Sequence, residues 1–376
     1  MSEYIVNRLG QLGDGIIDSP SGEIFAPFTL PGEHITGKIE NGRINTPKII
    51  KPVSDRIKPV CKHFKNCGGC SLQHASDTII ADWKIKKTQD ALSQVNLYPK
   101  FRPIINSKKE SRRRATFAAK RTKKGSMVGF HSRASNIIVE VTECPVSDPI
   151  ILSGIPAFSQ FAILGSSRKS VLRISATVSG YGLDVRVENG KELSPTEISQ
   201  FAQICDQYKI LRLVWNEDVI AQSNPPGQTM GSVNIVPPSG AFLQATKTGE
   251  AELIKNVLEI IGTSKKVVDL FSGCGTFTLP ISSKASVYAV EGDRNMIEAL
   301  DAGWRAAGGL HDIKSETRDL FRRPLMPDEF KKVDAIVIDP PRAGALSQVT
   351  EISKTNVGLV CLFGQHKDKL SVLFPI

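Results

Sequence analysis

The 376-residue sequence has no run of roughly 18 or more apolar residues, the length a membrane-crossing helix needs, so no span is predicted. Its start, Met1-Ser2-Glu3-Tyr4-Ile5-Val6, lacks the basic leader, apolar core and small-residue cleavage site of a secretory signal. The expectation is a mature cytoplasmic protein. Neither internal repeats nor low-complexity tracts occur, which argues against a repeat array. The seven cysteines are too irregularly placed for a secreted disulfide scaffold. Three of them cluster at Cys61, Cys67 and Cys70, and in a reducing compartment such a cluster is more often a metal site.

An apolar fraction of 40% is normal for a folded protein, and the length allows two or three domains. Lys and Arg outnumber Asp and Glu by 48 to 38, a balance that suits an anionic partner such as nucleic acid. The excess is concentrated in Lys108, Lys109, Arg112, Arg113, Arg114, Lys120, Arg121, Lys123, Lys124 and Arg133, opposed only by Glu110. That stretch is read as a phosphate-contacting surface.

Three regions follow from the local pattern. Residues 1–50 read as a small β-barrel, with short strands at Tyr4–Leu9, Gly15–Ile17 and Ile35–Ile39 between glycine and proline turns. Residues 51–238 hold the cysteine cluster, a helical stretch Ser76–Val95 and a strand-rich segment. Its strands are Arg114–Lys120, Ser126–Phe130, Ile137–Glu140, Val171–Ser179, Leu183–Val187 and Leu211–Asn216. Residues 239–376 alternate helix Thr246–Ile261, strand Lys266–Leu270, strand Ala285–Glu291, helix Asn295–Ala307 and strand Val333–Ile338, the rhythm of a mostly parallel sheet covered on both faces.

Three constellations carry chemistry. Cys61, Cys67 and Cys70 flank a Gly68-Gly69 pair that permits a tight turn, and Cys144 in Glu143-Cys144-Pro145 is the best fourth ligand. Four such thiolates suit zinc or an iron–sulfur cubane, and spacing alone does not separate the two. Asp269-Leu270-Phe271-Ser272-Gly273-Cys274-Gly275 is a strand entering a glycine turn and then a helix, where backbone approaches a ligand closely. Glu291, ending the next strand, is placed to accept the hydroxyls of a ribose. The turn lacks the full G-x-G-x-x-G fingerprint, which favours a methyl-donor nucleoside over a dinucleotide. Asp319 can accept from an adenine amino group or cap a turn. Asp339-Pro340-Pro341-Arg342 is a rigid turn past the end of an apolar strand, with Asp339 able to pair with a base N–H and Arg342 to steady phosphate.

Taken together, these residues resemble the bacterial RNA (uracil-5-)-methyltransferases, especially those acting on 23S ribosomal RNA. The match runs from about residue 5 to residue 360 and rests on four motifs in the family's order. The resemblance implies an N-terminal TRAM domain, an oligonucleotide-binding β-barrel, over residues 1–50, where Gly10 through Ile16 and Leu30-Pro31-Gly32-Glu33 match. It implies a central α+β domain with a [4Fe–4S] cluster on Cys61, Cys67, Cys70 and Cys144, and a Rossmann-like α/β domain binding S-adenosyl-L-methionine. In that domain it assigns cofactor contacts to Gln244, Asp269, Phe271, Gly273, Gly275, Glu291 and Asp319, and uracil positioning to Asp339. RNA is the implied partner, with no membrane and no obligate protein partner.

The family's reaction needs a thiolate to add to C6 of uracil, which makes C5 nucleophilic enough to take a methyl group, and a base to remove the C5 proton. The family carries that thiol in a Ser-Cys-Asn-Pro motif after Asp-Pro-Pro-Arg, and a later glutamate is the base. Here the sequence after Val360 reads Cys361-Leu362-Phe363-Gly364-Gln365-His366-Lys367-Asp368, without that motif. Cys361 is the substitute nucleophile to consider, with His366 and Asp368 as its acid–base partners. The alternative is a reading frame diverging after Val360, which leaves an incomplete methyltransferase domain, an exposed sheet edge and little or no methyl transfer. RNA binding without chemistry, or action on tRNA uridine, are the competing functions.

Overall fold

The computed structural model describes residues 2–364, which divide into two compact units. The first takes in the chain up to Ile104 together with Gly129–Pro145; the second takes in Ile105–Val128 and the chain from Val146 onward.

In the first unit, Glu3–Ile5, His34–Thr36 and Lys48–Lys51 form one three-stranded antiparallel sheet, and Arg8–Leu9, Gly15–Ser19 and Gly22–Ala26 form another. Alternating residues send Val6, Ile17, Ile24, Ala26, Ile35 and Ile44 into a shared core. The single strand expected over Tyr4–Leu9 is two strands, because the chain changes partner: Val6 N–H donates to Glu33 while Asn7 N–H donates to Ile16. The strand expected to Ile39 stops at Thr36. Gly37 follows, where a Cβ would lie 2.3 Å from Ile44 Cγ2, so the backbone passes the core too closely for a side chain. Ser76 accepts from Ile79 N–H at 3.3 Å and caps the helix Asp77–Ser93.

The strand-rich reading of residues 100–235 missed three helices, Pro149–Ser153, Ile155–Gly165 and Pro195–Gln207. Ile155–Gly165 buries Ala157, Phe158, Phe161, Ala162 and Gly165 on one face, but further apolar residues, Ile155, Ile163 and Leu164, lie off that face and blur the helical period in the sequence. Pro195–Gln207 did carry a signal: Ser194 and Glu197 form a capping box, with Pro195 opening the first turn. This helix returns the chain so that Ile210–Trp215 lies parallel to Gly182–Glu188. Within the second unit the sheet continues in the order Asp218–Gln222, Ile210–Trp215, Gly182–Glu188, Leu172–Ser179, Arg114–Arg121.

After helix Lys247–Ile261, capped by Thr246, five parallel strands build the second sheet of this unit. Their order is Ile313–Thr317, Ser286–Glu291, Lys266–Leu270, Ala335–Ile338, Val360–Leu362. Alternate residues fill two cores. Val267, Ala289, Val337 and Cys361 pack with Val257 on one side, and Leu270, Val290 and Ile338 pack with Val349 on the other. The expected parallel α/β domain is therefore present, with Ile313–Thr317 and helix Leu346–Ile352 as elements the sequence reading had not marked. The strand order reverses between Lys266–Leu270 and Ala335–Ile338. A crevice opens at the carboxyl ends of strands flanking such a reversal. The glycine turn and Asp339 both lie there.

Candidate active site

Past Leu270 the chain turns with Phe271 at φ 59°, Gly273 at 56° and Gly275 at 92°. At Gly275 a Cβ would stand 3.0 Å from Leu279 Cγ and 3.1 Å from Leu300 Cγ, so only glycine fits both the angle and the space. Glu291 locks the turn: its Oε2 accepts from Gly273 N–H at 2.9 Å, and its Oε1 accepts from Gly292 and Asp293 N–H at 2.7 and 3.0 Å. Oε1 thereby fills both of its acceptor sites, while Oε2 keeps capacity for one further donor.

A cavity of about 560 Å³ opens over this turn. Gln244, Phe271, Gly273, Glu291, Asp319 and Asp339 all line it, six of the residues that the sequence reading assigned to cofactor and base. Gln244 Nε2 donates to Asp339 Oδ2 at 3.3 Å, which joins the Ser239–Gln244 motif to the Asp-Pro-Pro-Arg turn. Arg342 also lines the cavity. Asp319 serves two ends, lining the wall while its Oδ1 accepts from Phe321 and Arg322 N–H at 2.9 and 3.3 Å. Sequence reading missed Phe242, Met296 and Phe321 in the wall; the Phe271 and Phe321 rings lie 5.6 Å apart. Phe242 was legible from its place two residues before Gln244, whereas Met296 and Phe321 reach the cavity only through the fold.

Two of the assigned positions stand behind the wall. Gly275 does not line the cavity, and Asp269 is fully buried with its Oδ2 accepting from Thr278 Oγ1 at 2.6 Å. Burial, then the charges of Asp339 and Glu291, push the Asp269 carboxyl up to about 7, against the hydrogen bond from Thr278. Its visible work is to hold the helix start after the turn.

Cys361 does not face the cavity either. It lies in the core beneath the sheet, and burial followed by the nearby Asp269 charge pushes its thiol up to about 11. A thiol that hard to ionise, away from the cavity lining, has no visible feature of a nucleophile in this structure. Cys274 is likewise buried, with its thiol raised to about 12, as expected of a residue that fills the turn. His366 and Asp368 lie outside the described residues.

The basic run is also corrected in part. Arg113 is 2% exposed and pairs with buried Glu250, while Arg133 pairs with Asp14. Losing one partner of such a buried pair strands the other charge, at about 3–5 kcal/mol. Arg114 lies over the Phe242 ring at 4.1 Å, and its buried Nε has no hydrogen-bond partner. Lys108, Lys109, Arg112, Arg121, Lys123 and Lys124 remain exposed, and the expected phosphate-contacting surface is narrowed to these.

In the first unit, the four cysteines expected to hold a cluster are all partly exposed and free of disulfides. Gly68 N–H donates to His131 at 2.9 Å, and a Cβ there would sit 2.8 Å from that same carbonyl. This close approach sets the Cys67–Cys70 turn against the Gly129–Pro145 segment that carries Cys144. The sulfurs feel one another: burial raises the Cys61 thiol, with Cys144 and Cys70 adding to it, and burial raises Cys67, with Cys61 and Cys144 adding. Among the described residues no three His, Cys, Asp or Glu side chains converge tightly enough for a single ion.

No protein-family model matches the chain. It is 38% identical over 360 residues to an uncharacterized RNA methyltransferase of Rhizobium meliloti, covering 94% of this chain and 86% of the relative. A second uncharacterized RNA methyltransferase, of Mesorhizobium japonicum, is 38% identical over 363 residues, covering 96% and 87%. The 23S rRNA (uracil(1939)-C(5))-methyltransferase of Vibrio vulnificus is 26% identical over 373 residues, covering 93% and 84%. In three dimensions the chain superposes on the tRNA (uracil-54, C5)-methyltransferase of Pyrococcus abyssi with a TM-score of 0.75 at 18% identity, covering 98% and 91%, a likeness of fold. With relatives this similar over nearly its whole length, and with the glycine turn and the Asp-Pro-Pro-Arg turn meeting in one cavity, the chain belongs to the bacterial RNA methyltransferases.

Proposed function

We propose that this protein binds S-adenosylmethionine and a uridine of RNA in the cavity at the sheet reversal, as a uracil-C5 methyltransferase of the 23S ribosomal type. The observation that carries this reading is the Gln244–Asp339 contact, which puts the cofactor motif and the base-pairing turn in one chamber. The residues fit a methyl-donor nucleoside. Glu291 Oε2 offers an acceptor to a ribose hydroxyl, Asp319 stands at the wall, and Phe271, Phe321, Leu320 and Met296 give apolar faces for a purine. The cofactor, when bound, supplies an activated methyl group on a positive sulfur. Asp339 orients the uracil edge, and the rigid Pro340-Pro341 backbone keeps that carboxylate in place. The Vibrio vulnificus enzyme, which acts on 23S rRNA, supports the choice of RNA.

The same reading gives Cys61, Cys67, Cys70 and Cys144 to a [4Fe–4S] cluster, with residues 1–50 as a TRAM-like RNA-binding barrel. Four partly exposed thiols in one unit suit a soft metal centre, and the family resemblance favours a cubane over zinc. The cluster would fasten the Cys67–Cys70 turn to the segment of Cys144.

A second reading, RNA binding without methyl transfer, is favoured by one observation: among the described residues no cysteine lines the cavity. The decisive experiment has two arms. Calorimetry with S-adenosylhomocysteine tests the pocket, and radiolabelled methyl transfer to a uridine-containing rRNA fragment tests turnover. We expect binding with little transfer. Absence of binding would sink the cofactor reading, and turnover like that of a relative carrying the Ser-Cys-Asn-Pro thiol would sink the second.

A further inference from the structure

Behind the cavity, Arg113 forms a buried hub with no part in the site as described so far. Its side chain is 2% exposed and every nitrogen is engaged. Nη2 pairs with Glu250, Nη1 donates to Gln228 Oε1 at 3.3 Å, and Nε donates to the main-chain carbonyl of Gln244 at 2.9 Å. The backbone of Arg113 closes the ring: its N–H donates to Ala245 at 2.9 Å and its carbonyl accepts from Val178 N–H at 2.8 Å, while Gln228 Nε2 donates to the Val178 carbonyl at 2.8 Å. Glu250 sits in the first turn of helix Lys247–Ile261, whose cap Thr246 lies two residues beyond Gln244. Residues 244 and 245 run outside any helix or strand, so these bonds take the place of a ladder in fixing them.

We infer that Arg113 is a positioning residue for the methyl-donor pocket, acting through the backbone of Gln244. The Gln244 side chain reaches Asp339 at 3.3 Å, and a carboxamide can hold that contact only while its own backbone stays put. A guanidinium suits the task because its planar fork serves three acceptors at once, including a carbonyl that an ammonium on a flexible stem would meet less rigidly. Glu250 keeps the fork oriented, and its charge offsets that of the buried guanidinium. This inference rests on the reading that Gln244 contacts the cofactor.

The test is a double-mutant cycle on the full chain, read by calorimetric affinity for S-adenosylhomocysteine so that it does not depend on turnover. Arg113→Lys keeps a positive charge for Glu250 while giving up the fork. It is expected to weaken binding about five- to tenfold in the otherwise native chain and less than about twofold when Gln244 is already alanine. An equal loss in both backgrounds would make Arg113 merely structural and overturn the inference. Should Arg113→Lys fail to fold, Glu250→Gln, which keeps an acceptor for Nη2, goes through the same cycle with the same expectation and the same overturning result. If the native chain binds no S-adenosylhomocysteine, it is the cofactor reading that fails. If the native chain binds and neither variant weakens binding, the inference alone fails.

Discussion

The cavity at the sheet reversal and the cysteine group of the first unit are both made from motifs read directly off the sequence, yet they differ in what holds them. In the cavity, backbone does the work: Glu291 accepts three amides, Gly275 fits where no side chain would, and Asp269 anchors the turn from beneath. In the cysteine group, the close pass of Gly68 against His131 brings two segments together, and the sulfurs are partly exposed and free of disulfides. One site is shaped before its ligand arrives. The other would be completed by its ligand, as coupled metal sites commonly are.

That contrast can be broken most sharply at the cysteines. Cys61→Ser or Cys144→Ser is expected to abolish the broad absorbance at about 400 nm of anaerobically purified protein, since each would remove one of the four proposed iron ligands. Retention of the band in both variants would release these residues from the assignment. In the cavity, Glu291→Ala is expected to weaken S-adenosylhomocysteine binding about 10- to 100-fold by calorimetry, the worth of charge-assisted hydrogen bonds together with a loosened turn. A change below about threefold would mean that the carboxylate faces no ribose.

A third test concerns pH. The Asp269 carboxyl titrates near 7 in the folded chain against an ordinary 3.8, so between these values the folded state binds more protons than the unfolded state. Stability attributable to this group is therefore highest at low pH and falls as pH rises from 3.8 to about 7. Asp269→Asn, neutral throughout, should flatten that segment of a plot of Tm against pH while other titrations persist. An unchanged slope would show that Asp269 does not carry it. The smallest effect is expected at Cys361: Cys361→Ala should leave cofactor affinity within about twofold and cost about 1 kcal/mol in urea unfolding, as for a modest loss of core packing. Any larger loss of affinity would reopen its case.

Much of the α/β domain was legible because its signals are local. The strand Lys266–Leu270 appears with the bounds expected, Thr246 caps the helix it was predicted to begin, and the glycines of the turn take the positive φ angles that favour glycine. Helix Ile155–Gly165 was hidden because apolar residues off its buried face, Ile155, Ile163 and Leu164, blur the period that separates helix from strand. The split of Tyr4–Leu9 was hidden because a strand's partner is chosen by distant residues, here Glu33 and Ile16.

The sequence by itself determined which residue types meet ligands: a glycine turn with a carboxylate on the next strand, an Asp-Pro-Pro-Arg turn, and thiols in a spacing suited to soft metal. Only the tertiary structure decided which of those residues face the cavity. It placed Gln244 against Asp339, withdrew Asp269 and Cys361 behind the wall, and turned Arg113 from a presumed phosphate contact into a buried clamp. The physical reason is that side-chain chemistry is carried residue by residue, whereas burial and direction are set by packing between segments more than a hundred residues apart, as with Arg113 and Glu250.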